Sequence, residues 1–318
     1  MSRPEQQRPS KPSSVIPDGV EFASFDPLPP DTDMVPRRWW GRHPQEWRSA
    51  LELAQLLVDP VYRGEGVPRG DGSPVMLVPG FLAGDASLAV MRQWLGRMGY
   101  DPHPAGIALN VDCSNRVLDR LDYRLWRIHA DRGRKVALVG HSRGGHLVKA
   151  LAHRYPERIS SVISMGAGLT TPFDISIPTK LAVAAVRTVH QRGNSKARAA
   201  GCFTDTCRCR FARDYGAEFP PEIPLTSVYT RGDGVVWWEA CVVPYARNVE
   251  VSSSHVGLAF NRESYLAVAE ALSDASPARE GSRDERAVAS SRMSSRAASD
   301  ERRSPMPRGR LPESRSTA

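Results

Sequence analysis

Between Pro74 and Leu272 the chain alternates two hydrophobic patterns. Short, unbroken apolar runs such as Val75-Met76-Leu77-Val78 and Val136-Ala137-Leu138-Val139 give way to longer stretches with apolar residues every three or four positions. Unbroken runs predict strands buried on both faces, and residues 103–107, 159–165, 225–230 and 249–251 extend the set. The longer stretches predict helices over residues 87–98, 117–129, 144–155 and 263–272. Leu118, Leu121, Leu125 and Ile128 form the stripe of the second, and Leu88, Met91, Trp94 and Leu95 that of the first. Ahead of them, residues 44–58 predict an amphipathic helix with Trp47, Leu51, Ala54 and Val58 as its buried face. A Gly/Pro-rich loop follows, up to Gly72. Strand and helix in alternation predict an α/β fold: a mostly parallel central sheet with right-handed crossovers and helices on both faces. Residues 172–222 interrupt the rhythm with a helix near 181–189 and a basic stretch at 191–200. They are expected to form an insertion over the sheet, for which a cap is one role.

The two ends lack these patterns. Residues 1–37 and 274–318 are rich in Pro, Ser, Arg and acidic residues without apolar periodicity, and both are expected to be disordered. That leaves residues 38–273 as one domain of ordinary size. The formal net charge is +8, but about half of it lies after residue 274, where arginines alternate with acidic residues. A solvated tail accounts for this better than a binding arm, so no nucleic-acid partner is expected. No stretch reaches the roughly 20 apolar residues of a membrane helix, and the N-terminal residues lack the apolar core of a secretory signal, which together predict a cytoplasmic protein. Of the five cysteines, Cys202, Cys207 and Cys209 are close in sequence while Cys113 and Cys241 stand apart. An odd count leaves a thiol unpaired within the chain, and the spacing does not fit a zinc site. Neither a metal nor a cofactor is expected.

The chemistry concentrates at strand ends. Gly140-His141-Ser142-Arg143-Gly144 fits the pattern G-x-S-x-G, directly after one predicted strand and directly before a helix. A nucleophile needs that sharp turn to project, and the helix N-terminus favours developing negative charge. A serine hydroxyl needs a base. His141 and His146 are too close in sequence to reach Ser142 correctly, whereas His255 lies in a polar loop after the last strand. Asp233 follows the preceding strand in Arg231-Gly232-Asp233-Gly234, where a carboxylate can orient that imidazole. The order Ser142, Asp233, His255 is the one expected of α/β-hydrolases. Backbone N–H groups of Arg143 and of the Pro79-Gly80-Phe81-Leu82 turn are the candidate oxyanion donors, with Phe81 ahead of Leu82. The Arg143 side chain has two readings: pairing with an acidic residue of the scaffold, or facing the cleft to read an anionic substrate. One of Trp237 and Trp238 could line an acyl pocket.

In these segments the sequence resembles the lipase and esterase branch of the α/β-hydrolases, and most of all the small bacterial triacylglycerol lipases with a minimal sheet. The likeness spans about residues 74–272 and implies that the first strands of the full-size fold are missing. It implies catalytic roles for Ser142, Asp233 and His255 and oxyanion roles for Phe81 and Arg143. This chain departs from it in Pro79-Gly80, where such lipases usually read His-Gly, and in the charge of Arg143. The reading is therefore a serine hydrolase acting on a small-molecule ester or lipid. An acyltransferase or thioesterase on the same residues, and a non-catalytic binding protein on a hydrolase scaffold, are the alternatives.

Overall fold

A computed structural model describes Trp40, residues 43–192, Thr204 and residues 207–276. Residues 1–37 and 277–318 of the terminal segments expected to be disordered, and Cys202, lie outside these residues.

The elements run α1 (Arg48–Val58), α2 (Pro60–Arg63), β1 (Pro74–Val78), α3 (Ala89–Met98), β2 (Asp101–Pro104), α4 (Ser114–Arg132), β3 (Val136–His141), α5 (Arg143–Arg154), β4 (Ile159–Met165), α6 (Ile177–Arg192), α7 (Arg210–Gly216), β5 (Leu225–Tyr229), β6 (Arg247–Glu250) and α8 (Arg262–Asp274). The strands form one parallel sheet in the order β2-β1-β3-β4-β5-β6. Side chains alternate between faces along each strand. Val75, Leu77 and Val139 pack with Leu56, Met91, Trp94, Tyr265 and Val268 on one side, from α1, α3 and α8. Met76, Val78 and Leu138 pack with Leu121, Leu125, Leu147 and Leu151 on the other, from α4 and α5. Both faces are thus covered, as the unbroken apolar runs require. Among the described residues no strand precedes β1.

Two expectations need correction. The second strand is Asp101–Pro104, not 103–107. Its register is set by pairing Pro74 with Asp101 through Leu77 with Pro104, and Gly106, at φ +80°, lies beyond its end. Two prolines fit there because β2 is an edge strand with one side free of ladder bonds. Over the 3-10 turn that ends at Trp47 and α1, the expected stripe faces outward: Trp47, Leu51 and Val58 are 65%, 50% and 73% exposed, while Leu56 and Glu52 are buried. Periodicity announces that a helix has an apolar stripe but not which side docks. Here the docked side is chosen by Glu52, whose carboxylate accepts from the Ser253 hydroxyl at 2.7 Å and the Ser254 N–H at 2.9 Å.

Within the stretch expected to be an insertion, α7 packs on α5 through Phe211 and Tyr215 and through charge. The Arg154 side chain, 3% exposed, meets Asp214 through its Nε at 2.7 Å and also through Nη2. Tyr215 adds a hydroxyl bond to the Gly168 carbonyl. Removing Asp214 leaves the buried Arg154 guanidinium only a 3.4 Å contact with the exposed Asp119. We expect Asp214→Ala to lower the unfolding free energy by about 3 kcal/mol in urea titration. A loss below about 1 kcal/mol, the range of exposed pairs, would mean that α7 docks without this contact.

Candidate active site

Ser142 is the single residue between β3 and α5, at φ 53° and ψ −125°. A non-glycine residue there costs on the order of 1–3 kcal/mol, so the surroundings must hold it in place. The Ser142 N–H donates to the Met165 carbonyl at 2.8 Å, and its carbonyl accepts from the Gly145 N–H at 2.8 Å. The flanking glycines are required by close approach. A methyl group on Gly144 would lie 2.1 Å from the Val78 carbonyl oxygen, and one on Gly140 would lie 2.5 Å from the Gly144 backbone. The Ser142 hydroxyl opens onto a cleft of about 450 Å³ that His255 also lines.

His255 and Asp233 come from the loops after β6 and β5 and are both 4% exposed. Their side chains meet at 2.7 Å, Nδ1 to Oδ2. The other Asp233 oxygen accepts from the N–H groups of Val235 and Val236 at 2.8 and 2.7 Å, which fixes the carboxylate. Burial opposes charging of His255, yet the charge and hydrogen bond of Asp233, with Glu46 beyond, hold its pKa above the usual histidine value. Gly166, at φ +59°, passes close to this pair. A methyl group there would lie 3.2 Å from His255 Nδ1 and 3.4 Å from Asp233 Oδ2.

The turn after β1 is tied to the elbow by a residue that sequence reasoning missed. Asn110 is fully buried and donates its side-chain amide to the Pro79 carbonyl at 2.8 Å. Its own carbonyl accepts from the Leu82 N–H at 3.3 Å and from the Arg143 guanidinium at 2.9 Å. Leu82 thereby has its N–H engaged. The Arg143 guanidinium also donates to the Asp112 carbonyl and, at 3.0 Å, to the Ser114 hydroxyl. These three contacts tie the guanidinium to the segment that leads into α4. A polar residue in a loop carries no periodicity, so nothing in the sequence singled out Asn110.

Two further histidines are buried beside the elbow. His141 bonds the His255 carbonyl through Nε2 at 2.9 Å, and its ring lies 5.2 Å from the His255 ring. His146 packs edge-on against Tyr215. Burial, reinforced by the His255 charge, pushes His141 down to about 4. Burial, with Arg143 and Lys149 nearby, pushes His146 down to about 3. Neither tryptophan lines the cleft; Val235 and Val236 do, while Trp238 stacks on Tyr229 and sits under Arg231. The thiols of Cys207, Cys209 and Cys241 are free, and burial pushes Cys209 up to about 11. Among the described residues no cluster of His, Cys, Asp or Glu is suited to a metal ion, and no helix is long and apolar enough to cross a membrane.

A parallel sheet covered on both faces, with a strand–serine–helix turn and an acid–histidine pair at its strand ends, defines a class: the chain has the alpha/beta hydrolase fold. A family model for that fold matches residues 124–200, which include the elbow. No curated protein sequence matches the chain. Solved structures similar to it include one reported with the metagenome-derived lipolytic enzymes LipS and LipT, 16% identical with a TM-score of 0.45, covering 66% of this chain and 95% of that one. The metagenomic carboxyl esterase MGS0156 is 15% identical with a TM-score of 0.46, covering 64% and 76%. The mature Bacillus licheniformis lipase BlEst2 is 16% identical with a TM-score of 0.41, covering 61% and 89%.

The buried histidines set a pH dependence. An unfolded chain protonates His141 and His146 below about 6.5, whereas the fold keeps them neutral down to about 4 and about 3. Stability should therefore fall as pH drops below about 6.5, each ring removing up to about 1.4 kcal/mol per pH unit. His255, with its pKa raised, acts oppositely: its contribution is complete below about 6.5 and is lost as pH rises through the folded value. Urea unfolding between about pH 7.5 and 5 reads the net slope. A flat profile would mean that the two rings take up protons inside the fold.

Proposed function

We propose that the protein is a serine-dependent carboxylic ester hydrolase working through an acyl-enzyme, with Ser142 as nucleophile, His255 as general base and Asp233 as the acid that orients it. The observation that carries this reading is the buried 2.7 Å Asp233–His255 bond on the same cleft as a serine held at φ 53°. With Nδ1 committed to Asp233, the Nε2 of His255 is the atom available to take the Ser142 proton as Oγ attacks the ester carbonyl. The Ser142 hydroxyl has no hydrogen-bond partner among the described residues, and such bonds often tighten only when substrate is bound. The oxyanion would be met by the N–H groups of Phe81 and Arg143, and α5 points its N-terminus at the same place. Protonated His255 then returns its proton to the leaving alkoxide, and water repeats the sequence to release the acid.

The cleft also bears on substrate. Phe81, Phe173, Ile175, Val183, Phe211 and Val236 give it apolar walls. Arg143, the cation beside the nucleophile, is engaged with the loop at 110–114. These features favour a neutral ester with an apolar acyl group.

A fluorophosphonate probe should label Ser142, and Ser142→Ala should lose both labelling and hydrolysis of p-nitrophenyl esters, by about 10⁴ to 10⁶ in kcat, with the fold retained. Because His255 must be neutral to act, the rate should rise with pH through an inflection above the usual 6.5. Near-normal turnover by the alanine variant would end this reading. Arg143→Gln should reduce kcat/KM equally for neutral and anionic esters of one size. A selective loss of about tenfold on the anionic ester, worth about 1.4 kcal/mol, would instead make Arg143 a reader of substrate charge.

A further inference from the structure

The loop that carries His255 is held from outside the sheet. Glu46 lies in the 3-10 turn His43–Trp47, ahead of α1. Its Oε1 accepts from the N–H groups of Gly234 at 3.1 Å and His255 at 3.2 Å, and its Oε2 from the N–H of Val256 at 2.8 Å. One carboxylate thus bridges the loop of Asp233 and the loop of His255, across 209 residues of chain. Further along, Glu52 holds Ser253 and Ser254. From the elbow, His141 holds the His255 carbonyl at 2.9 Å. The His255 peptide is therefore gripped at its N–H and at its C=O by different elements.

We infer that Glu46 is a positioning residue of the acid–base pair: it sets the spacing of the two loops and adds negative charge on the side where the imidazolium forms. This rests on the hydrolase reading above. Hydrogen bonds from N–H to a carboxylate are about twice as strong as neutral ones, so three of them on one group make a stiff junction. Proton transfer between Ser142 and His255 tolerates little misplacement, since an error of about 1 Å can cost on the order of a hundredfold in rate. Asp233 from the β5 loop, Glu46 from the 3-10 turn, His141 from β3 and His146 from α5 interact with His255, while Glu52 from α1 holds the two residues before it and Arg143 from α5 lines the same cleft. The Asp233 and Glu46 charges favour its protonated form, and that form in turn disfavours protonation of His141 and His146.

The test is the rate at which a fluorophosphonate labels Ser142 in the full chain, measured from about pH 5 to 9. This readout needs no knowledge of the natural substrate. Glu46→Gln keeps an acceptor oxygen and removes the charge. It should label about tenfold more slowly or worse at the optimum, and its acid limb should move to lower pH. Glu46→Asp keeps the charge but is one methylene too short to bridge both loops. It should lose rate while its acid limb stays at the wild-type pH. A wild-type rate and limb in Glu46→Gln would overturn the proposal. So would a slower rate with an unmoved limb, which is the signature of a structural tie alone. If Glu46→Gln does not fold, a wild-type rate in Glu46→Asp overturns it equally. Failure of the wild-type chain itself to label would instead reject the hydrolase reading.

Discussion

The structure around the cleft depends on one buried hydrogen bond, between Asp233 and His255. Both residues are 4% exposed, and burying a carboxylate beside an imidazole is unfavourable unless each is fully partnered. The second oxygen of Asp233 is satisfied by two N–H groups at the start of the next turn, and the His255 peptide by Glu46 and His141. Each partner imposes a position on another element. Gly166 must lack a side chain, α1 must present Glu52 inward, and the 3-10 turn before it must present Glu46. A polar cluster of this kind is stable only when every member is satisfied, which is why it draws on elements from both ends of the domain.

The elbow obeys a different constraint, that of space. Backbone meets backbone where Gly144 crosses β1 and where Gly140 faces the first turn of α5. Closing those gaps drives Ser142 into positive φ, a strained conformation held by bonds to Met165 and Gly145. The same crowding brings the turn after β1 against the nucleophile. A methyl group on Gly80 would lie 3.0 Å from the Ser142 Cβ, so Pro79-Gly80 is compatible with an elbow that a larger residue would push away. Asn110 and Arg143 then lock that turn to the loop at 110–114. Arg143 spends its fork of donors on carbonyls, a use for which a planar guanidinium is well shaped.

Parallel strand order joins these two constraints. With β3, β4, β5 and β6 consecutive in the sheet and all parallel, the segments that follow β3, β5 and β6 emerge at one edge. Ser142, Asp233 and His255 each follow one of those strands, so the topology gathers residues that lie far apart in the chain. Alternating strand and helix patterns were enough to anticipate this sheet, because unbroken apolar runs are compatible only with burial on both faces.

The sequence by itself determined the strand–helix rhythm, the elbow at Ser142 and the strand-end positions of Asp233 and His255, because those signals are local: apolar period, glycine spacing and loop position after a strand. Tertiary structure alone decided what is non-local. It turned Glu52 rather than Trp47 and Leu51 toward the core, because a buried acceptor was needed opposite Ser253 and Ser254. It moved β2 to Asp101–Pro104, because register follows the neighbouring strand. It turned Arg143 onto the carbonyls of Asn110 and Asp112 and made Asn110 a junction. It also carried Glu46 to a loop 209 residues away. A single polar residue in a turn has no periodicity to reveal its partner, and only the folded chain brings the two together.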